Sequence, residues 1–399
     1  MKILFLSDNF PPEVNAPATR TYEHCAEWVK KGEEVTVITC FPNFPRGKVF
    51  KGYKNKLYKK EVIDGIKVIR VWSYIAENKG FIRRILDFNS FAMMSFIFGL
   101  FIKTDVIIAT SPQFFTTIAA RFLSLFKRRP WIMEVRDLWP DSIVAVGSIK
   151  KSSIIYRLLS KIEFSLYKNT NKIVVVTNSF YNYLTNIGIS KEKIAIIPNG
   201  MYCNKSIEKN SEIDLKAKLG LENKFIISYI GTHGMAHGLS FILNSISEVD
   251  RNIHFLFIGD GAQKKELIKL SDNLKLNNVT FLDSKTKSEI DSYIGISDAA
   301  LVNLIESEIF ENVIPSKIFE NVYHQKPILL GVKGEAQELI EKYKVGVCFD
   351  PENKSSLLTA IELVRTYSKS KNYTANCKKM LKLFDRKNLA KSMLEFIKY

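Results

Sequence analysis

The sequence has few of the residues that would make it a disulfide scaffold or a zinc protein. Its five cysteines, Cys25, Cys40, Cys203, Cys348 and Cys377, are odd in number and scattered over 399 residues. No Cys-x-x-Cys pair and no Cys/His cluster occurs, which excludes both a disulfide framework and a ligand set for zinc. No apolar run reaches the roughly 20 residues needed to cross a bilayer. The chain opens on Lys2 and a short apolar stretch, Ile3-Leu4-Phe5-Leu6, that breaks at Ser7-Asp8 instead of continuing as a secretory leader. A reducing, cytoplasmic setting is the expectation. The turn after that stretch, Ser7-Asp8-Asn9-Phe10-Pro11-Pro12-Glu13, holds no glycine. A Gly-x-Gly-x-x-Gly dinucleotide fingerprint is therefore missing where it would be needed, and a nicotinamide dehydrogenase is disfavoured.

What is present is globular: 46% of residues are hydrophobic and 25% charged. The length suits two ordinary cores better than one. The net charge of +17 is uneven, for residues 1–200 hold 30 Lys/Arg against 16 Asp/Glu, whereas 201–399 hold 28 against 25. A general solubility effect would not choose one half, so the first half is expected to face something anionic. Its basic residues are dispersed over several segments instead of interleaved with aromatics on one element, so nucleic acid is not the expected partner. Residues 79–102 suggest an anionic membrane surface. An apolar run from Phe88 to Ile102 is flanked by Arg83, Arg84 and Lys103, the composition of a helix lying in the lipid interface. A buried core helix is the equal alternative.

Strand-like apolar runs at 2–7, 34–40, 66–72, 105–110, 131–136, 172–177 and 193–198 alternate with helical patterns, which argues for βαβ units and a parallel sheet. Pro198-Asn199-Gly200 is turn chemistry, and a polar stretch to about residue 222 reads as the link. The second half repeats the scheme, with strands expected at 225–230, 253–258, 278–282, 298–303, 327–331 and 346–349. Leu389, Met393 and Phe396 have helical spacing in a final helix at 387–399.

Two motifs in the second half point to an anion. Ile226–Ile230 runs into Gly231-Thr232-His233-Gly234-Met235-Ala236-His237-Gly238, with a helix beginning near Leu239. A strand, a glycine-rich turn and a helix start bring free N–H groups onto a ligand, and glycine lets the backbone approach a diphosphate closely. A purely structural turn is the alternative. In Pro315-Ser316-Lys317-Ile318-Phe319-Glu320 the proline suits a first helical turn. Lys317 then stands at the end of the helix that repels a cation unless an anion binds there. Glu320 follows three residues on, so the pair is either a phosphate and ribose reader or a simple surface ion pair. His24 and His254 fall in a helix and a strand and read as structural.

With these features goes a resemblance. Phe10-Pro11-Pro12-Glu13 with Arg20, Arg136-Asp137-Leu138-Trp139-Pro140-Asp141, Ile197-Pro198-Asn199-Gly200, the 231–238 loop, Phe257-Ile258-Gly259-Asp260-Gly261 and Ile314–Glu320 occur in that order. The chain thereby resembles the retaining glycosyltransferases of family 4, and within them the bacterial N-acetyl-L-fucosamine transferases of capsule and O-antigen biosynthesis. The resemblance implies the GT-B fold, an α/β architecture of two Rossmann-like domains facing each other across a cleft. Residues 1–200 would be the acceptor domain, rejoined by the helix at 387–399, and 201–386 the nucleotide-sugar donor domain. It implies transfer of an N-acetylated hexose from a UDP-sugar to a polyprenyl-diphosphate-linked saccharide, at the inner face of the cell membrane. A nucleotide-sugar epimerase of the same architecture is the alternative.

On this reading Gly231, Thr232, His233, Gly234, Gly259, Ser316, Lys317, Glu320 and Asn199 bind the donor. Glu13, Asn15, Arg20, Ser111 and Trp139 bind the acceptor, and Asp137, Lys317 and His237 act in catalysis. An N-cap role for Asp137 and a buried structural role for Trp139 are the competing readings. The sequence holds no Asp-x-Asp, so no metal and no other cofactor is expected, with protein groups carrying the diphosphate charge. Three departures from the family stand out. Asn312 occupies the position of a sugar-contacting glutamate eight before Glu320, with Glu308 and Glu311 nearby. His237-Gly238 replaces Lys-Gly, and Asn15-Ala16 replaces Gly-Gly.

Overall fold

The computed structural model describes residues 1–45, 47–75, 81–111, 114–145, 147, 149–203, 212–367 and 369–398. The chain forms two compact units, Met1–Asn199 with Arg386–Tyr399, and Gly200–Asp385. Residues 204–211, within the polar link read from the sequence, lie outside the described residues.

The first unit is built on eight strands: β1 (Lys2–Leu6), β2 (Glu34–Cys40), β3 (Tyr58–Ile63), β4 (Ile66–Val71), β5 (Val106–Thr110), β6 (Trp131–Val135), β7 (Lys172–Val175) and β8 (Ile194–Ile196). They lie in the order β3-β4-β2-β1-β5-β6-β7-β8. All neighbours are parallel except β3, which pairs antiparallel with β4. The central strands β5 and β6 are buried along their whole length, as strands covered on both faces must be. β3 was not foreseen, because Tyr-Lys-Lys-Glu-Val-Ile is an exposed edge with charges in place of an apolar face. The signal that would have found it is Asp64-Gly65, a hairpin dipeptide with positive φ at both residues (47° and 79°).

Helix Ala16–Lys30 is started by Asn15, whose side chain accepts from the Ala18 N–H at 2.9 Å. The C-terminal helix Arg386–Lys398 packs against it and completes the core of this unit with Leu389, Met393, Leu394 and Ile397. Trp28 Nε1 donates to Ala390 O at 2.8 Å, and Arg386 Nε to Glu23 at 3.0 Å. His24 is buried with Nδ1 3.2 Å from Met393 Sδ; His254, in the second unit, meets Thr280 Oγ1 at 2.9 Å. Both are structural.

The second unit has six parallel strands: β9 (Phe225–Ile230), β10 (Ile253–Ile258), β11 (Val279–Leu282), β12 (Ala299–Asn303), β13 (Ile328–Gly331) and β14 (Gly346–Cys348). Their order is β11-β10-β9-β12-β13-β14. Renumbered within the unit this is 3-2-1-4-5-6, the doubly wound order. In such sheets ligands sit beyond the carboxyl ends of the strands, where the order reverses. That point falls between β9 and β12 here, and between β1 and β5 in the first unit.

Candidate functional site

In the second unit the reversal point is occupied by two interlocked glycine loops. Gly231, just past β9, has φ 148° and donates its N–H to Ile258 O at 2.8 Å. Gly259, just past β10, has φ 147°, and a Cβ there would stand 1.9 Å from Gly231 O. A Cβ on Gly261 would stand 2.4 Å from His233 O. The His233 N–H donates to Asp260 O at 2.9 Å and its carbonyl accepts from Gln263 N at 3.0 Å. Only glycine allows the loops to close on each other in this way. Buried Lys264 braces them, donating to Gly259 O (2.8 Å), Leu282 O (2.9 Å) and Asp283 (2.7 Å).

From β12 comes Asn303, which sequence reasoning missed. Its Nδ2 donates to the His237 carbonyl at 2.9 Å and so fixes the far end of the 231–238 loop. Ile305 N–H adds a bond to Ala236 O at 3.0 Å. The available signal was a polar residue closing an otherwise apolar, wholly buried strand.

Lys317 is the first residue of helix Lys317–Tyr323, and Ser316, at its N-cap, makes no side-chain cap bond. The Lys317 side chain folds back over the loop: Nζ lies 3.8 Å from the centroid of the Tyr229 ring and 2.6 Å from where a Cβ on Gly231 would be. Burial pulls its pKa down to about 7, with Glu320, one turn on, opposing the shift. Among the described residues Lys317 makes no salt bridge. The two histidines are held neutral. His233, fully enclosed, is depressed to about 4 by burial and by Lys264 and Lys317; neither ring nitrogen has a hydrogen-bond partner among the described residues. His237, edge-on to Tyr229 at 5.8 Å, is depressed to about 3 by burial and Lys317. The arrangement is one desolvated ammonium and two neutral imidazoles around bare backbone, a cradle for a polyanion. Gly231, Thr232, His233, Gly234, His237, Gly259, Ser316, Lys317 and Glu320 are gathered here. Asn312 and Glu311 are in the short turn Phe310–Asn312, where Asn312 Nδ2 donates to Glu308 O at 3.1 Å.

In the first unit the residues at the strand ends are mostly braces. Glu13 is 3% exposed and accepts from the N–H groups of Phe10 (3.3 Å), Asn43 (2.8 Å) and Phe44 (2.8 Å). Arg20 is 1% exposed. Its guanidinium is spent on Glu134 (2.8 Å), Ile197 O (2.8 Å) and Pro198 O (2.7 Å), with Asn199 Oδ1 at 3.4 Å. The hydrogen-bond capacity of both side chains goes to the loop and to the 197–199 turn, and the acceptor contacts expected of them stand as a proposal. Asn15 is the helix cap and also donates to Asn9 at 2.6 Å. Ser111 is buried and its Oγ accepts from the N–H groups of Arg136 (2.7 Å) and Asp137 (3.3 Å). Trp139 is 6% exposed, with Phe114 stacked on it at 5.4 Å and Phe115 edge-on at 6.0 Å. Close packing surrounds that side chain, and its stacking on a sugar stands as a proposal.

Asp137 remains at the end of β6, its pKa lifted to about 7 by burial against hydrogen bonds from Ser142 and the Leu138 N–H. Beside it is Arg136, absent from the expected site. Burial lowers its pKa to about 9, and its Nε and Nη1 are buried without a hydrogen-bond partner among the described residues.

Comparison with known proteins agrees with both units. Residues 15–200 match the glycosyl transferase 4-like domain, and residues 211–380 match glycosyl transferases group 1. The chain is a two-domain glycosyltransferase. It is 27% identical over 314 residues to the putative colanic acid biosynthesis glycosyl transferase WcaI of Escherichia coli, covering 76% of each chain. It is 25% identical over 240 residues to the probable glycosyltransferase WbjE of Pseudomonas aeruginosa, covering 58% of this chain and 59% of that one. Anabaena HepE, solved with UDP-glucose, superposes with a TM-score of 0.73 at 16% identity over 100% of this chain and 99% of its own. That likeness identifies the GT-B fold. Nothing among these matches favours the epimerase alternative.

Proposed function

We propose that this glycosyltransferase moves a sugar from a UDP-sugar to a polyprenyl-diphosphate-linked acceptor in bacterial surface-polysaccharide synthesis, with retention at the transferred carbon. The donor sugar is read as N-acetyl-L-fucosamine or a related N-acetylated hexose, and the site of action as the inner face of the cell membrane. The observation that carries the donor reading is Lys317. A desolvated lysine pressed on glycine backbone, with no salt bridge among the described residues, suits a nucleoside diphosphate. The names of WcaI and of HepE with its UDP-glucose support the same reading.

In this reading the bond from the sugar's anomeric carbon to the diphosphate oxygen breaks as the acceptor hydroxyl attacks from the same face. The hydroxyl proton passes to an oxygen of the departing diphosphate, so no separate base is needed. Lys317, the Thr232 and Gly234 amides and the neutral His237 imidazole N–H meet the charge that builds on the leaving group, the Gly231 and His233 amides being engaged within the loops. With no Asp-x-Asp in the chain, these groups stand where a divalent cation would otherwise serve.

Thermal denaturation tests this. UDP raises the midpoint in a concentration-dependent way, equally with and without EDTA, and the rise shrinks in Lys317→Ala and Glu320→Ala. No shift with UDP, GDP, ADP or TDP at millimolar concentration would overturn the donor site.

A pH dependence follows from the same lysine. Free Lys317 titrates at about 7, and a bound diphosphate raises that value, because an adjacent anion favours the ammonium. Binding therefore takes up a proton when the pH lies above 7, and UDP affinity falls as pH rises from 7 to 9, by at most about tenfold per unit. Calorimetry in buffers of different ionisation enthalpy reads the uptake; release of a proton, or pH-independent affinity, would contradict it.

A further inference from the structure

Helix Phe81–Leu100 carries the apolar run singled out in the sequence; residues 79 and 80 of that segment lie outside the described residues. Phe91, Ala92, Met94 and Ser95 on one side are buried. That side lies along helix Phe114–Lys127, which runs the same way: Phe88 meets Phe115 at 6.5 Å, and Phe96 meets Phe122 at 6.4 Å and Phe126 at 5.6 Å. Gly99 permits the approach, since a Cβ there would come within 2.6 Å of Leu123. Lys127 Nζ ties the two ends together through Leu100 O at 2.9 Å.

The opposite side of the first helix is bare. Arg83, Leu86, Asn89, Met93, Ile97 and Leu100 are all exposed at spacings of three and four, one continuous stripe about 25 Å long. At its end Phe101 is 83% and Phe126 70% exposed, with Leu125 beside them at 53%. Around these rings stand exposed Lys103, Arg128 and Arg129; the nearby Asp105 is engaged by the Lys2 N–H at 2.7 Å. Among the described residues no helix is long and apolar enough to cross a membrane.

We infer that helices 81–100 and 114–127 form an in-plane docking face for an anionic lipid bilayer, with Phe101, Leu125 and Phe126 entering the acyl boundary and Lys103, Arg128 and Arg129 meeting the headgroups. The geometry is that of an interfacial helix, whose binding scales with buried apolar area plus attraction to anionic lipid. A second copy is a poorer occupant. Two-fold pairing would bring two copies of this net-basic face together. The second turn of the docking helix also adjoins the loop after β1, where Asp87 acts electrostatically on Asp8 and is acted on by Glu13. The face thus leads from the lipid plane to the carboxyl ends of the strands. Its purpose, delivery of a lipid-linked acceptor, rests on the proposed function; docking itself is measured separately.

The full chain is sedimented with phosphatidylcholine vesicles with and without phosphatidylglycerol, at low and high salt, and its mass in solution is read by light scattering. Wild type binds the phosphatidylglycerol vesicles and is released by salt. The Phe101→Asp/Phe126→Asp variant binds at least about tenfold more weakly, because two ring burials are lost, as does Lys103→Glu/Arg128→Glu/Arg129→Glu. The side chains are exposed, so the thermal midpoint and its shift with UDP stay as in wild type. Indifference of wild type to anionic vesicles, unaltered binding of both variants, or a dimer that the Phe variant breaks would each overturn the inference. A retained UDP shift in any of these cases leaves the donor reading standing.

Discussion

Lys317→Ala lowers kcat by a factor on the order of 10² to 10³, while the protein folds as wild type. The size is that of removing one preorganised donor from a developing oxyanion. The reason lies in where the ammonium sits, over the Tyr229 ring at 3.8 Å and against Gly231. The donor's diphosphate gains charge as the sugar leaves, so the loss falls on kcat more than on KM. Arginine does not rescue. Its planar guanidinium is wider than an ammonium and has no room between the Tyr229 face and a glycine that already crowds Nζ. Single-turnover kinetics with a UDP-sugar read the effect, and a wild-type rate in Lys317→Ala would remove this residue from the mechanism.

Arg20→Ala destabilises the first unit by about 3–5 kcal/mol, the cost of stripping one partner from a buried ion pair. Glu134, 1% exposed like Arg20, loses its 2.8 Å partner. Two further acceptors, Ile197 O and Pro198 O, lose their donors at the same stroke. A buried charge left unpaired cannot be rehydrated without opening the sheet. The midpoint should fall by roughly 10 °C for a unit of this size. Below that midpoint the acceptor KM stays near wild type. The measurement separates two roles that a motif cannot: unchanged stability with a raised acceptor KM would return Arg20 to the binding site.

Much of the architecture was legible because buried parallel strands have a plain signature. Short Val/Ile-rich runs such as Val106–Thr110 and Ile253–Ile258, bounded by turns, were placed within one or two residues. The edge strand Tyr58–Ile63 was missed because it has no buried face to imprint an apolar pattern. At the candidate donor site, the glycine turns at 231 and 259 and the Lys317 helix start were visible in the sequence, since glycine-rich turns and a cation at a helix N-terminus violate local preference. Arg136 could not, for it is defined by the partners that its Nε and Nη1 lack, and the polar end of β12 at Asn303 shows its role only once the His237 carbonyl is beside it.

The sequence alone determined the class of molecule: two α/β units, strand positions, and the short stretches where local rules are broken. Those features depend on period, turn chemistry and backbone permissiveness, which are properties of neighbouring residues. Only the tertiary structure decided which polar side chains remain available. Arg20 and Arg136 are both arginines in motifs of the same unit. Yet Arg20 is consumed by Glu134 and the 197–199 turn, while Arg136 keeps Nε and Nη1 unbonded among the described residues. Likewise helix 81–100 is almost wholly apolar beyond Ser90, and only its packing on 114–127 separates a buried side from a bare one. Burial and hydrogen-bond satisfaction are set by residues far away in the chain, and no local pattern encodes them.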